Sequence, residues 1–99
     1  MAKFLVTYHR GGGMPPDPEA AAKAKAAFGT WLEQAGSAVV DPGAPLRAVA
    51  TVPAGASQTD VGGFTVIEAD SAESAAAILA SHPFVTRGGT LQVNEFVKV

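Results

Sequence analysis

The sequence predicts an α+β domain in which two helices cover one face of a four-stranded antiparallel sheet. Three observations predict it. Four segments rich in β-branched, aromatic and other apolar residues have strand character, two alanine-rich segments have helix start and stop signals, and their order along the 99 residues is β-α-β-β-α-β. That is the order of the split β-α-β, or ferredoxin-like, plait.

Phe4-Leu5-Val6-Thr7-Tyr8 reads as the first strand, ending near His9. Phe4, Val6 and Tyr8 point one way, Leu5 and Thr7 the other, so both faces of this strand need cover. Arg10 to Pro16 holds three glycines and two prolines and reads as a loop. Asp17-Pro18-Glu19 starts a helix: a capping carboxylate, a proline whose missing N–H costs nothing in the first turn, and an acid at the positive end of the dipole. The helix runs to about Ala35 and stops at Gly36, with Ala24, Phe28, Trp31, Leu32 and Ala35 on one stripe. Ser37 to Val52 reads as a broken extended region, with strand character at Ala38-Val39-Val40 and Leu46 to Val52 and a turn or edge bulge at 41–45. Pro53 to Gly63 reads as a hairpin loop and Phe64 to Ala69 as the third strand. A second helix begins at Asp70 or Ser71, where Asp70 and Glu73 have capping-box spacing, and Pro83 ends it. Gly88-Gly89 turns the chain into a last strand, Leu91 to Val97.

Length and composition set the class. A chain of 99 residues and 10.0 kDa is one domain, 1–99. With 47% hydrophobic and 16% charged residues, it is not an intrinsically disordered chain. No apolar run approaches the ~20 residues of a membrane helix. A net charge of −2 argues against a nucleic-acid or anionic-membrane surface. Without cysteine there is no disulfide, thiol nucleophile or thiolate metal site. Met1-Ala2-Lys3 leads straight into strand-like residues rather than an apolar signal segment, so the expected location is cytoplasmic.

A plait this short leaves the helix-free face of its sheet bare. The apolar pairs Phe4/Leu5, Val66/Ile67 and Val93/Phe96 demand cover on both faces, and a second copy is the expected cover. The expected assembly is a homodimer through that face.

The element order, together with Phe4 to His9, Met14-Pro15-Pro16, Ile67 to Ser71 and Pro83-Phe84 followed by Gly88-Gly89, resembles the YCII-related (DGPF) family over nearly the whole chain. The resemblance implies a dimeric α+β barrel with two plaits packed sheet to sheet. Most members have no assigned reaction. Some relatives are linked to lactone chemistry in aromatic catabolism, among them a chloromuconolactone dehalogenase, and a His–Asp pair has been suggested as the acid–base machinery of others. The family Asp falls here at His82, before Pro83-Phe84, and the family His at Lys25, so neither partner is matched.

The candidate site residues are His82 and His9 for proton transfer, with Phe28, Trp31 and Arg87 for ligand binding. A histidine titrates close to neutrality, and the helix stripe offers aromatic walls for a small, partly apolar ligand. The bland readings are a loop-bonded His9, a His82 held at a helix C-terminus, core aromatics and a surface arginine. Gly11-Gly12-Gly13 lacks the lysine and hydroxyl of a phosphate-binding loop, and no serine has a nucleophile-elbow context. Two histidines without a third ligand at workable spacing give no metal site, and no cofactor is expected. Glu68 and Glu95 are acid–base candidates only if buried. Two functions follow as expectations: a binding or accessory dimer holding a small metabolite, anionic ones included, or a cofactor-free isomerase or dehalogenase of lactone-type substrates. A cleft containing both histidines would bind carboxylates more tightly as pH falls toward ~6.

Overall fold

The computed structural model describes residues 1–9, 17–57 and 61–97. The elements run β1 (Ala2–His9), α1 (Pro18–Ala35), a 3₁₀ turn (Gly36–Ala38), β2 (Val39–Pro45), β3 (Val61–Ala69), α2 (Ala72–Leu79), a one-turn α3 (Pro83–Thr86) and β4 (Thr90–Glu95). The sheet order is β2-β3-β1-β4 with every pairing antiparallel, the ferredoxin-like arrangement. The glycine and Met-Pro-Pro loop of the sequence lies outside the described residues.

α1 forms where its signals put it. The Asp17 carboxylate accepts from the Ala20 N–H at 2.7 Å. At the other end Gly36 takes φ +57° and ψ −129°, a conformation glycine reaches without a Cβ penalty, and donates its N–H to the Leu32 carbonyl. Asp17→Ala should lower stability by about 0.5–2 kcal/mol in thermal or denaturant melts, the usual cost of a lost cap. An unchanged melt would show that Pro18 and the dipole alone start the helix.

Several boundaries differ from the sequence reading, each for a local reason. β2 does not break at Asp41-Pro42-Gly43 but runs through it, as register shifts on an edge strand where proline removes no needed ladder bond. The Asp41 carboxylate takes the Gly43 N–H at 2.8 Å, and Gly43 adopts φ +76°. Leu46 to Val52 is not a strand. Leu46 still donates its N–H to Gly62, and beyond it the segment leaves the sheet, with Val49 84% and Val52 92% exposed. β3 begins at Val61 rather than Phe64, because Gly63 pairs with both Tyr8 and Pro45. α2 is capped by Ser71, whose hydroxyl accepts from the Ser74 N–H at 3.1 Å, and not by Asp70. α2 ends at Leu79, ahead of Pro83, and Pro83 opens α3 instead. β4 stops at Glu95, although the Phe96 N–H still reaches the Lys3 carbonyl at 3.3 Å.

The core lies between sheet and helices. Phe4 and Val6 of β1, Ile67 and Ala69 of β3, Trp31 of α1, and Ala75 and Leu79 of α2 are all buried. Among the described residues no helix covers the opposite face. There Leu5, Phe64 and Val66 stand half-buried and Phe96 exposed. The chain exposes 6723 Å², against roughly 5,200 Å² for a compact monomer of this mass. The bare sheet face and the segment after Pro45 contribute to that excess.

Candidate functional site

His82 is the centre of the helix-side cluster. It follows α2 and serves as N-cap of α3, so its ring turns in between α1 and the sheet, where it is 2% exposed. Four aromatic rings meet or approach it. Trp31 lies 4.5 Å from it between centroids, Tyr8 5.2 Å and Phe28 5.5 Å, while Phe84 packs on Tyr8 at 5.1 Å. Trp31 is itself pinned by donating its indole N–H to the Ile78 carbonyl at 3.1 Å.

The hydrogen bonds fix the tautomer. His82 Nδ1 accepts the Phe84 backbone N–H at 3.0 Å, so in the neutral ring the proton sits on Nε2. Nε2 then donates to the Tyr8 hydroxyl at 2.8 Å, Tyr8 donates to Thr65 Oγ1 at 2.7 Å, and Thr65 donates to the Pro42 carbonyl at 3.1 Å. The chain runs in one direction from α3 to the β2 bulge, and every donor has its acceptor. Burial, and then the positive charge of Arg87, push His82 from 6.5 down to about 4. Burial also raises the Tyr8 phenol, with the Thr65 hydrogen bond pulling the other way.

This overturns one expectation. A histidine titrating at about 4 is neutral at pH 6, so His82 cannot strengthen anion binding there. Protonation would also place a hydrogen on Nδ1, against the Phe84 N–H.

The same shift sets a stability prediction. An unfolded histidine titrates near 6.5 and the folded His82 near 4, so between those values the unfolded chain holds the extra proton. Stability therefore rises with pH through that window, and His82's share is lost as pH falls from 6.5 to 4. The full effect is about 3 kcal/mol. Denaturation of the wild type and of His82→Asn at both ends of the window isolates it, because only the wild type carries this titration. Equal pH slopes in the two proteins would refute a neutral buried ring.

Three of the five expected site residues come together: His82, Trp31 and Phe28. Arg87 stands at the rim, its guanidinium 5.6 Å from the Phe84 ring centre. His9 does not join them. Strand alternation sends it to the helix-free face, where its Nε2 lies 2.7 Å from Thr7 Oγ1. A single cleft holding both histidines is therefore not what this fold builds. Nor is His82 a helix C-terminal residue stabilised by the dipole of α2; it caps the next turn. Glu95 is exposed, and Glu68 is half-buried opposite Lys3. Among the described residues no three His, Asp or Glu side chains gather as a metal site. No described helix is long and apolar enough to cross a membrane.

Sequence reasoning missed Tyr8, Thr65 and Phe84 as members of the cluster. The signal for Tyr8 was its place in the Phe4/Val6/Tyr8 alternation, which aims its hydroxyl under the helices. Beside the cluster, α2, α3 and β4 leave an open aliphatic groove of about 200 Å³, lined by Ala76, Leu79, Ala80, Val85, Leu91 and Val93.

Fold and site together define a ferredoxin-like α+β plait built around an internally satisfied His–Tyr–Thr chain. Among solved structures, the chain is similar to 5-chloro-2-hydroxyhydroquinone dehydrochlorinase (TftG) from Burkholderia phenoliruptrix AC1100, determined in complex with 2,5-dihydroxybenzoquinone. The two share 18% identity at a TM-score of 0.61, over 100% of this chain and 96% of that one. That likeness is one of fold. No protein-family model matches the chain, and no curated protein matches it.

Proposed function

We propose that the protein is a small dimeric α+β barrel of the YCII-related type that binds a small ring-bearing metabolite, with no assigned reaction. The dimer forms through the helix-free faces, where Leu5, Phe64, Val66 and Phe96 need cover. On the helix side Phe28 and Phe84 are the half-buried walls and Arg87 the exposed group at the rim. His82 and Trp31 support them from behind.

The observation that carries binding over catalysis is the state of His82. Both of its ring nitrogens are already engaged, Nδ1 by the Phe84 N–H and Nε2 by the Tyr8 hydroxyl. A general acid or base needs a proton it can exchange with substrate. His82 is a positioning residue.

A second reading keeps one observation of its own. His9, paired with Thr7 on the other face, is the remaining histidine and is not buried in the core. In a cofactor-free isomerase or dehalogenase the proton would move through His9. The likeness to the dehydrochlorinase fold makes 5-chloro-2-hydroxyhydroquinone the first substrate to try.

Sedimentation at micromolar protein should give twice the 10.0 kDa chain mass. A species of single-chain mass throughout would end the dimer. Quenching of Trp31 fluorescence by 2,5-dihydroxybenzoquinone without chloride release from the chlorinated quinol supports the binding reading. Chloride release abolished by His9→Phe would replace it with the enzyme.

A further inference from the structure

Beyond the end of β2, residues 46–56 hold one charge, Arg47, in a run otherwise of Leu, Val, Ala, Thr, Pro and Gly. Leu46, Val49 and Val52 are exposed along it. Contiguous apolar surface of this kind marks an interaction site. The whole chain is correspondingly extended, with a Cα radius of gyration of 14.4 Å against about 13 Å for a compact domain of this length. Its exposed area exceeds the compact value by roughly 1,500 Å², where one side of a standard interface takes ~800 Å².

The same chain carries a surface that fits such an arm. The open aliphatic groove between α2, α3 and β4 is lined by Leu79, Val85, Leu91 and Val93 among others, and β4 is an edge strand. Arm and groove lie on one row of the sheet. Pro45 pairs with Gly63, Gly63 with Tyr8 and Tyr8 with Leu91, so the arm leaves β2 at the level where Leu91 enters the groove. They stand at opposite edges, three strand spacings or about 14 Å apart. A second copy removes that separation.

A copy laid on the helix-free face is related to the first by a two-fold axis along the strands or across them. Lys3 and Glu68 decide between the two. They pair in one row of β1 and β3, with Leu5–Val66 and Thr7–Phe64 in the next rows of that face. An axis along the strands, between β1 and β3, sets Lys3 over the partner's Glu68 and Glu68 over the partner's Lys3. Opposite charges meet in both places. An axis across the strands at Leu5 and Val66 sets Glu68 on the partner's Phe64 instead. The first orientation reverses the edges and keeps the rows in step, so one protomer's Pro45 stands beside the partner's Leu91.

We propose that the arm at 46–52 of each protomer rounds the β4 edge of the other and seats Val49 and Val52 in its aliphatic groove. The inference rests on the dimer reading above and adds a reciprocal pair of arms to it. The seven residues after Pro45 span up to ~24 Å when extended, enough to cross the ~10 Å between stacked sheets and pass the edge. Aliphatic surface then meets aliphatic surface, and Arg47 stays at the root of the arm. The open edge of β4 is covered by the same contact.

The sequence has no cysteine, so Ala54→Cys, at an exposed position just past the arm, takes a single nitroxide. Spin-labelled chain without isotopes is mixed with methyl-labelled wild type, and sedimentation is run on the same samples. The converse sample, a methyl- and spin-labelled chain in excess unlabelled wild type, reads the chain's own groove. Broadening of the Leu79, Val85, Leu91 and Val93 methyls is expected in the first sample and not in the second. Val49→Asp combined with Val52→Asp, both at exposed positions of the single chain, should weaken the dimer at least about tenfold with an unchanged far-ultraviolet spectrum. A dimer whose groove methyls stay sharp, or broaden only in the converse sample, overturns the arm exchange and leaves the dimer standing. A double variant that dimerises as tightly as wild type does the same. A single-chain mass throughout overturns both.

Discussion

His82→Ala is expected to destabilise the protein by about 3–5 kcal/mol, the range for emptying a buried aromatic position. Three losses combine. The Phe84 N–H loses its cap acceptor, the Tyr8 hydroxyl loses the donor at 2.8 Å, and the Trp31 and Phe28 rings lose a neighbour at 4.5 and 5.5 Å. A domain of this size has ~5–15 kcal/mol in total, so the variant sits near its limit. His82→Asn separates the contributions. Its amide oxygen can cap α3 as Nδ1 does, which should restore about 1 kcal/mol, but it fills less of the ring's space and cannot span the same distance to Tyr8. Denaturant melts with unchanged slope read both variants. An alanine variant losing under about 1 kcal/mol would mean that water already occupies the cluster and replaces the ring at little cost.

The legible and illegible parts of this fold divide along a physical line. α1 was readable to the residue because its determinants are local: the Asp17 carboxylate, Pro18 and Gly36 act within one turn of themselves. The facing of β1 was readable because alternation needs only the strand. The sheet order is the one that the β-α-β-β-α-β element order implies for this plait. What was not readable depends on distant partners. Asp70 and Ser71 both offer an N-cap oxygen, and the choice fell to the hydroxyl that also meets Ser74. Leu46 to Val52 has strand composition, but composition cannot supply a neighbouring strand, and β2 leaves the ladder after Leu46. The two histidines illustrate the same point. Each stands beside a loop signal in the sequence, yet one residue of strand phase places His9 across the sheet from the cluster that Tyr8 joins. His82's surroundings come from four separate elements, and no spacing rule in the sequence reports them.

Gly43→Ala should be the most damaging change outside the core, and it tests how the β2 bulge connects to the His82 cluster. Gly43 sits at φ +76°, and a Cβ there would collide with the Phe64 carbonyl oxygen. No side-chain rotation relieves a contact with backbone, so β2 must lift from β3. Left-handed strain alone costs about 1–3 kcal/mol, and the displaced ladder adds to it. Pro42, one residue away, carries the carbonyl that accepts from Thr65 at 3.1 Å. If β2 moves, Thr65 loses its acceptor and the chain through Tyr8 to His82 loses its fixed direction. Gly36→Ala is the control, since Gly36 has φ +57° and no atom within 4 Å of an added Cβ. It should cost about 1–3 kcal/mol, from backbone conformation only, since φ +57° with ψ −129° is a region open to glycine. Each kcal/mol shifts the melting temperature by roughly 4–8 °C in a domain of this length. Gly43→Ala should therefore melt well below Gly36→Ala, and the hydrogen-bonded Nε2–H signal of His82 should broaden or move in the first and persist in the second. Equal melting temperatures would show that the bulge yields freely. An unmoved His82 signal in a destabilised Gly43→Ala would show that the polar chain is held from the α3 end alone.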